Sequence, residues 1–273
     1  MSTHEPFISS QFPRSNAYHP DWILGNASGG ANSIWLAEWL ASVLDLKPGM
    51  HVLDLGCGRA SSSIFLAREY SVKVWATDLW FSPSENLQRI RDAGVEQNVF
   101  PIHSDARSLP FAADFFDAII SIDAFPYFGT DDHYLNNLAR FAKPDGVIAM
   151  AAAGFVEEID RDVPSHLAPW LVAEPLLRSM HSSSWWRWHW EKTGIVDVQV
   201  ADSLSNGCSL WLEWLKNIAP ENQMELQALE ADGGRYLTYN RVVARRRPNV
   251  KLEEPMVSIP SHYTRNPLLR RHS

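Results

Sequence analysis

The feature that most constrains this chain is the run Val52-Leu53-Asp54-Leu55-Gly56-Cys57-Gly58-Arg59-Ala60. A short apolar stretch stopped by glycine reads as a buried strand, and helical spacing begins directly after it. The glycines therefore form a turn between a strand and a helix. Glycine lets the backbone pass close to a ligand there, and the first turn of the helix offers unpaired N–H donors. Taken alone, this unit predicts a nucleotide-like ligand over the carboxyl end of a strand.

The same pattern continues along the chain. Strands are predicted at 51–55, 73–77, 99–103, 116–122 and 147–152, alternating with helices at 61–69, 84–93 and 134–141. An earlier helix at 33–46 is stopped by Lys47-Pro48-Gly49. Apolar strands alternating with helices imply a mostly parallel sheet covered on both faces. The alternation breaks after residue 154, where Pro164, Pro169 and Pro175 interrupt a long stretch ending in Trp185-Trp186-Arg187-Trp188-His189-Trp190. This stretch, at about 155–194, is expected to be an inserted helical cap. Strands resume at 196–200 and 235–245. The expected organisation is an irregular arm over 1–32, a doubly wound, Rossmann-like α/β domain over 33–247, and a surface tail over 248–273.

Acidic residues recur where these strands end. Asp54 lies in the first strand, Asp78 closes the second, Asp105 follows the third and Asp123 closes the fourth. Open α/β sheets bind ligands at that carboxyl edge. Asp78 stands at the distance past the glycine turn where a carboxylate accepts both hydroxyls of a ribose. Asp105, beside Ala106, is placed to accept from an adenine amino group. Each residue has a plainer role open to it: Gly56 and Gly58 in tight helix–strand packing, Asp78 as a helix N-cap, Cys57 as a small turn residue. The coincidence of all of them selects binding.

Together these residues resemble the class I S-adenosylmethionine (SAM)-dependent methyltransferases. Asp54-Leu-Gly-Cys-Gly58 resembles the family's first motif, Asp78 its ribose-binding acid, and Ser104-Asp105-Ala106 its adenine contact. The stretch 116–123 resembles its fourth-strand motif, and Leu138 to Gly146 the turn before the fifth strand. Ala60 departs from the pattern, since a third glycine is common at that position. The resemblance implies an antiparallel last strand, SAM as cofactor, S-adenosylhomocysteine (SAH) as product, and a small-molecule acceptor. It places Asp54, Gly56, Cys57 and Gly58 around the methionine part, Asp78 at the ribose, Asp105 and Ala106 at adenine, Leu79 among the cofactor-binding residues, and Asp123 at the junction between cofactor and acceptor. Other SAM chemistry on the same fold, or a non-catalytic SAM-binding module, remains an alternative.

Composition narrows the partners. The formal net charge is −8, which disfavours nucleic acid, because phosphate binding relies on clustered Lys and Arg. Asp123-Ala124-Phe125-Pro126-Tyr127 is one residue too long, and one proline short, for the acid-Pro-Pro-Tyr of DNA amino-methyltransferases. A Tyr-x-x-x-Lys pair, which nicotinamide-dependent reductases use, does not occur. No apolar run is long enough to span a bilayer, and the first residues lack a secretory pattern. Two distant cysteines fit no metal spacing, so no metal is expected and a reducing cytoplasm is. The reading leaves room for a homodimer.

The acceptor is expected among the loops after the fourth and fifth strands, the arm and the cap. Tyr127, His133 and His189 are the catalytic candidates, and Tyr18, Trp22, Tyr127 and Trp186 the substrate-binding ones. Helical spacing puts Trp186 and Trp190 on one face, with Trp185, Trp188 and His189 toward another. Aromatic faces suit a cationic amine by cation–π attraction, or equally a planar apolar acceptor. The histidines favour an amine or another small polar nucleophile.

Overall fold

The computed structural model describes residues 7–159 and 162–252. Strands β1 (His51–Leu55), β2 (Lys73–Asp78), β3 (Val99–His103), β4 (Phe116–Ile122), β5 (Ala142–Phe155), β6 (Val196–Ser203) and β7 (Leu237–Arg246) form one sheet, in the order β3-β2-β1-β4-β5-β7-β6. The first five pair in parallel, while β7 runs antiparallel to both β5 and β6. The order reverses at β1, whose neighbours are β2 and β4, so the edge above β1 is the switch point where such sheets leave a crevice.

Nine helices among the described residues cover the sheet: α1 (Pro20–Gly25), α2 (Ser33–Ala41), α3 (Ser61–Tyr70), α4 (Pro83–Asp92), α5 (Tyr134–Ala139), α6 (Ala168–Ala173), α7 (Ser183–Glu191), α8 (Gly207–Ile218) and α9 (Gln223–Asp232). Strand alternation sorts two cores. Val52, Ile120 and Tyr239 pack with residues of α2, α3, α8 and α9, whereas Leu53, Ile119 and Val242 pack with α5 and α7. Asp54 has the parity of Val52, so its carboxylate faces α3.

Three regions differ in detail from the sequence-based expectation. The arm is docked: Phe12 is buried and stacks on Trp35 at 5.8 Å, and α1 begins at Pro20 with His19 as its N-cap. A helix of six residues has too few turns to show a period. The Trp-rich helix α7 joins the layer on the sheet, with Trp186 and Trp190 fully buried against Phe125 and Trp188 exposed. The stretch between the last two strands contains α8 and α9, which pack on one another. Of the expected tail, residues 253–273 lie outside the described ones.

Candidate active site

The glycine turn is built by backbone bonds to the neighbouring strand. The N–H groups of Gly56 and Cys57 both donate to the Thr77 carbonyl, at 2.8 and 3.0 Å. Gly58 has φ of 55°, and a Cβ there would lie 2.2 Å from the Ser28 hydroxyl, so both conformation and space require glycine. Ala60 holds the same left-handed conformation with φ of 63°, which is why a glycine suits that position and an alanine strains it. Beneath the turn, the Ser62 and Ser63 hydroxyls each donate at 2.6 Å to one oxygen of Asp54. The other Asp54 oxygen is buried without a partner. Burial raises this carboxyl to about 6; the serine bonds oppose the rise and the nearby Asp78 charge adds to it.

Asp78 ends β2 over the crevice. One oxygen accepts from Gly58 N–H at 2.8 Å, and the other from Trp80 N–H and Phe81 N–H at 2.7 and 3.0 Å. Carboxylate oxygens have further lone pairs, so Asp78 is oriented by the chain and can still accept hydroxyls. Leu79 and Trp80 follow it with exposed side chains. Asp105 is clasped by Arg107, whose guanidinium donates to its two oxygens at 3.0 and 2.7 Å. That bond holds the Asp105 carboxyl below the usual range. The next carbonyl, Ala106, accepts from the Tyr134 hydroxyl at 3.1 Å.

Asp123 follows β4 with φ of 54°. Its carboxylate accepts from Ala31 N–H at 2.8 Å and Ala153 N–H at 3.2 Å. Burial raises it to about 6, against those two bonds. The arm therefore crosses the edge of the sheet, and its Ser28 hydroxyl also accepts from Arg59 N–H at 2.8 Å. Between arm and strand ends lies a cleft of about 350 Å³, lined by residues 28–31, 55–58, 77–81, 104–107 and 122–124 with Ser33, Ser62, Tyr127 and Phe128. Trp80 and Tyr127 meet edge to face at its mouth, 5.3 Å apart. Burial, then the Asp123 charge, pushes the Tyr127 phenol up to about 12.

The cleft brings together Gly56, Cys57, Gly58, Asp78, Leu79, Asp105, Ala106, Asp123 and Tyr127; Asp54 lies below it. Five other expected residues stand elsewhere. His189 is buried in α7, stacked on Trp185 at 4.4 Å with Nε2 3.1 Å from the Gly129 carbonyl. His133 is an exposed residue at the start of α5. Tyr18 gives its hydroxyl to Glu69 at 3.1 Å and packs on Trp22 and Phe65, on the outer side of α3. Trp186 is spent in the core against Phe125. Residues that the sequence reading did not single out line the cleft instead: the arm loop 28–31, Trp80, Phe81 and Arg107. Nothing local in the sequence of the arm shows where this loop docks.

Residues 52–146 match the family model described as a methyltransferase domain. Over that segment the chain carries a methyltransferase domain. Over 117 residues it is 32% identical to Methyltransferase GfsG of Streptomyces halstedii, covering 42% of either chain. It is 28% identical over 199 residues to the 2-methyl-6-phytyl-1,4-hydroquinone methyltransferase of Synechocystis, which covers 70% of this chain and 61% of that one. The chain thus spans about half the length of these curated relatives. The structure of a candidate sarcosine dimethylglycine methyltransferase from Galdieria sulphuraria superposes with a TM-score of 0.63 at 26% identity, over 78% of this chain and 86% of that one. The matched methyltransferase segment holds the glycine turn, Asp78, Asp105 and Asp123, which are the residues the cleft assembles. Among the described residues, no helix is long and apolar enough to cross a membrane.

Proposed function

We propose that this protein transfers the methyl group of SAM to a small-molecule acceptor, an amine or another small polar nucleophile, releasing SAH. The observation that carries this reading is Asp78, fixed by three backbone N–H groups at the end of β2 and facing a cleft roofed by the arm. The residues present suit the cofactor. Asp78 receives the ribose hydroxyls, Asp105 and Ala106 flank adenine with Leu79, and Gly56, Cys57 and Gly58 leave backbone room for the methionine part. The unpartnered oxygen of Asp54 marks unused acceptor capacity beneath that turn.

When bound, SAM supplies an electrophilic methyl on a sulfonium, so the protein's contribution is orientation and electrostatics. Tyr127, raised to about 12, stays a phenol and serves to orient an acceptor by hydrogen bonding rather than to remove its proton. Asp123, at about 6, is the ionisable group of the cleft poised near neutrality. His133 and His189 stand away from the cleft and take no part in this reading.

Calorimetric titration with SAM and SAH, with NAD as control, tests the proposal. Asp78→Ala is expected to weaken SAM binding about 10-fold or more, since a hydrogen bond to a charged group contributes about 1.5–3 kcal/mol. Binding of NAD without SAM would overturn it. Turnover to SAH with any acceptor separates an enzyme from a binding module.

A further inference from the structure

The strand β3 ends at His103, and Asp105 opens the turn that follows it. The backbone of that turn is fixed on both sides. Ser104 N–H donates to the Asp78 carbonyl at 3.1 Å, Ser108 N–H to the Asp105 carbonyl at 2.9 Å, and the Tyr134 hydroxyl to the Ala106 carbonyl at 3.1 Å. None of these bonds touches the Asp105 carboxylate. Among the described residues, only Arg107 does. Its backbone N–H and its Nε both donate to Oδ1, at 2.9 and 3.0 Å, and its Nη2 donates to Oδ2 at 2.7 Å.

Two observations set this clasp apart from an ordinary surface ion pair. The Arg107 and Asp105 side chains are 68% and 33% exposed, and an exposed pair contributes little to stability, so the fold does not depend on it. Both residues also line the cleft, with Ala106 between them. A carboxylate has about four lone-pair sites. Arg107 takes both on Oδ1 and one on Oδ2, which leaves a single site on Oδ2. The same bonds hold the carboxyl below its usual range, so it accepts and does not donate. A planar guanidinium fork fixes a carboxylate in this way, and the single ammonium of a lysine does not.

We propose that Arg107 is a positioning residue that sets purine specificity: it turns Asp105 so that one acceptor site, on Oδ2, receives the 6-amino group of the cofactor's adenine. This rests on the reading of the cleft as a SAM site. A purine with hydrogen in place of that amino group leaves the acceptor unpaired, and a site built to bond an N–H discriminates against a ligand that lacks it. Arg107 stands one residue past Ser104-Asp105-Ala106, so the resemblance to the family's adenine contact assigns it no part.

The test titrates the parent and Arg107→Gln with SAH and with the SAH analogue in which hydrogen replaces the 6-amino group. The parent is expected to bind SAH at least about 10-fold more tightly than the analogue. Arg107→Gln removes the fork and leaves Asp105 free to turn. It is expected to weaken SAH about 3- to 10-fold and to leave the analogue within about 2-fold, so the preference narrows. Its melting temperature is expected to stay within about 2 °C of the parent's. Equal losses for the two ligands would mean that Arg107 only shapes the cleft wall, and an unchanged preference that Asp105 needs no positioning; either result overturns the proposal. A parent that binds SAH and the analogue equally well overturns it too, while the cofactor reading stands. A parent that binds neither sinks the cofactor reading and the proposal together.

Discussion

The Asp123 carboxylate accepts the Ala31 N–H at 2.8 Å across 92 residues of sequence. The arm comes this close because Gly30 has no Cβ, which would otherwise stand 2.1 Å from the Asp123 carboxylate. One side chain thereby ties the arm to β4 and, through Ala153, to β5. Asp123→Asn turns one acceptor into a donor facing an N–H, a loss of about 1–3 kcal/mol at this partly buried site. Amide exchange at residues 28–31 is expected to rise about 5-fold or more, with the central strands unaffected. Unchanged protection of those amides would show that Ser28 and Arg59 suffice to hold the arm.

Trp80 is exposed over the cleft yet engages Tyr127 edge to face. An aromatic pair contributes about 0.5–1.5 kcal/mol beyond its buried area. Trp80→Ala is expected to weaken SAH binding by about 2- to 10-fold while thermal stability stays within about 0.5 kcal/mol of the parent. Calorimetry and a melting curve measure the two quantities. A large loss of stability with unaltered SAH affinity would place Trp80 in the fold rather than at the ligand.

Ser71 ends α3 in the left-handed region, with φ of 55° and an exposed side chain. A non-glycine residue there bears about 1–2 kcal/mol of strain, and glycine adds about 0.5–1 kcal/mol of chain entropy to the unfolded state. The difference favours Ser71→Gly by about 0.5–1 kcal/mol. Urea unfolding reads this directly, and a destabilised variant would contradict it.

Asp54 makes stability depend on pH in a stated direction. Its carboxyl is raised to about 6 in the folded protein, so between the unfolded value and about 6 the folded state binds the proton more readily. The contribution is complete at about pH 4 and is lost as pH rises through about 6. Asp54→Asn stays neutral throughout. The stability of the parent relative to this variant is therefore expected to decline between about pH 4 and 7 by roughly 3 kcal/mol. A difference that does not vary with pH in denaturant titrations would show that Asp54 does not titrate in this range. Bound SAM, a cation, favours the ionised carboxylate, so its stabilising effect is expected to grow over the same interval.

The cofactor side of the site was legible in the sequence because its determinants are local. Gly58 betrays a turn, Asp78 follows it at a fixed distance, and each acid stands where an apolar strand ends. The helix α7 was legible as a helix, but its use was not: spacing alone cannot say that Trp186 fills the core while His189 leans on Trp185. The arm was read without structure, since Phe12 and Ile23 bury against elements distant in sequence and α1 is too short for a period.

The position of β7 between β5 and β6 has a consequence for descent. It puts α8, α9 and β7, all encoded after residue 203, on the flank of the sheet away from β2 and β3. The residues that line the cleft all precede residue 146. Substitutions after residue 203 can thus accumulate on that flank without replacing any residue that lines the cleft.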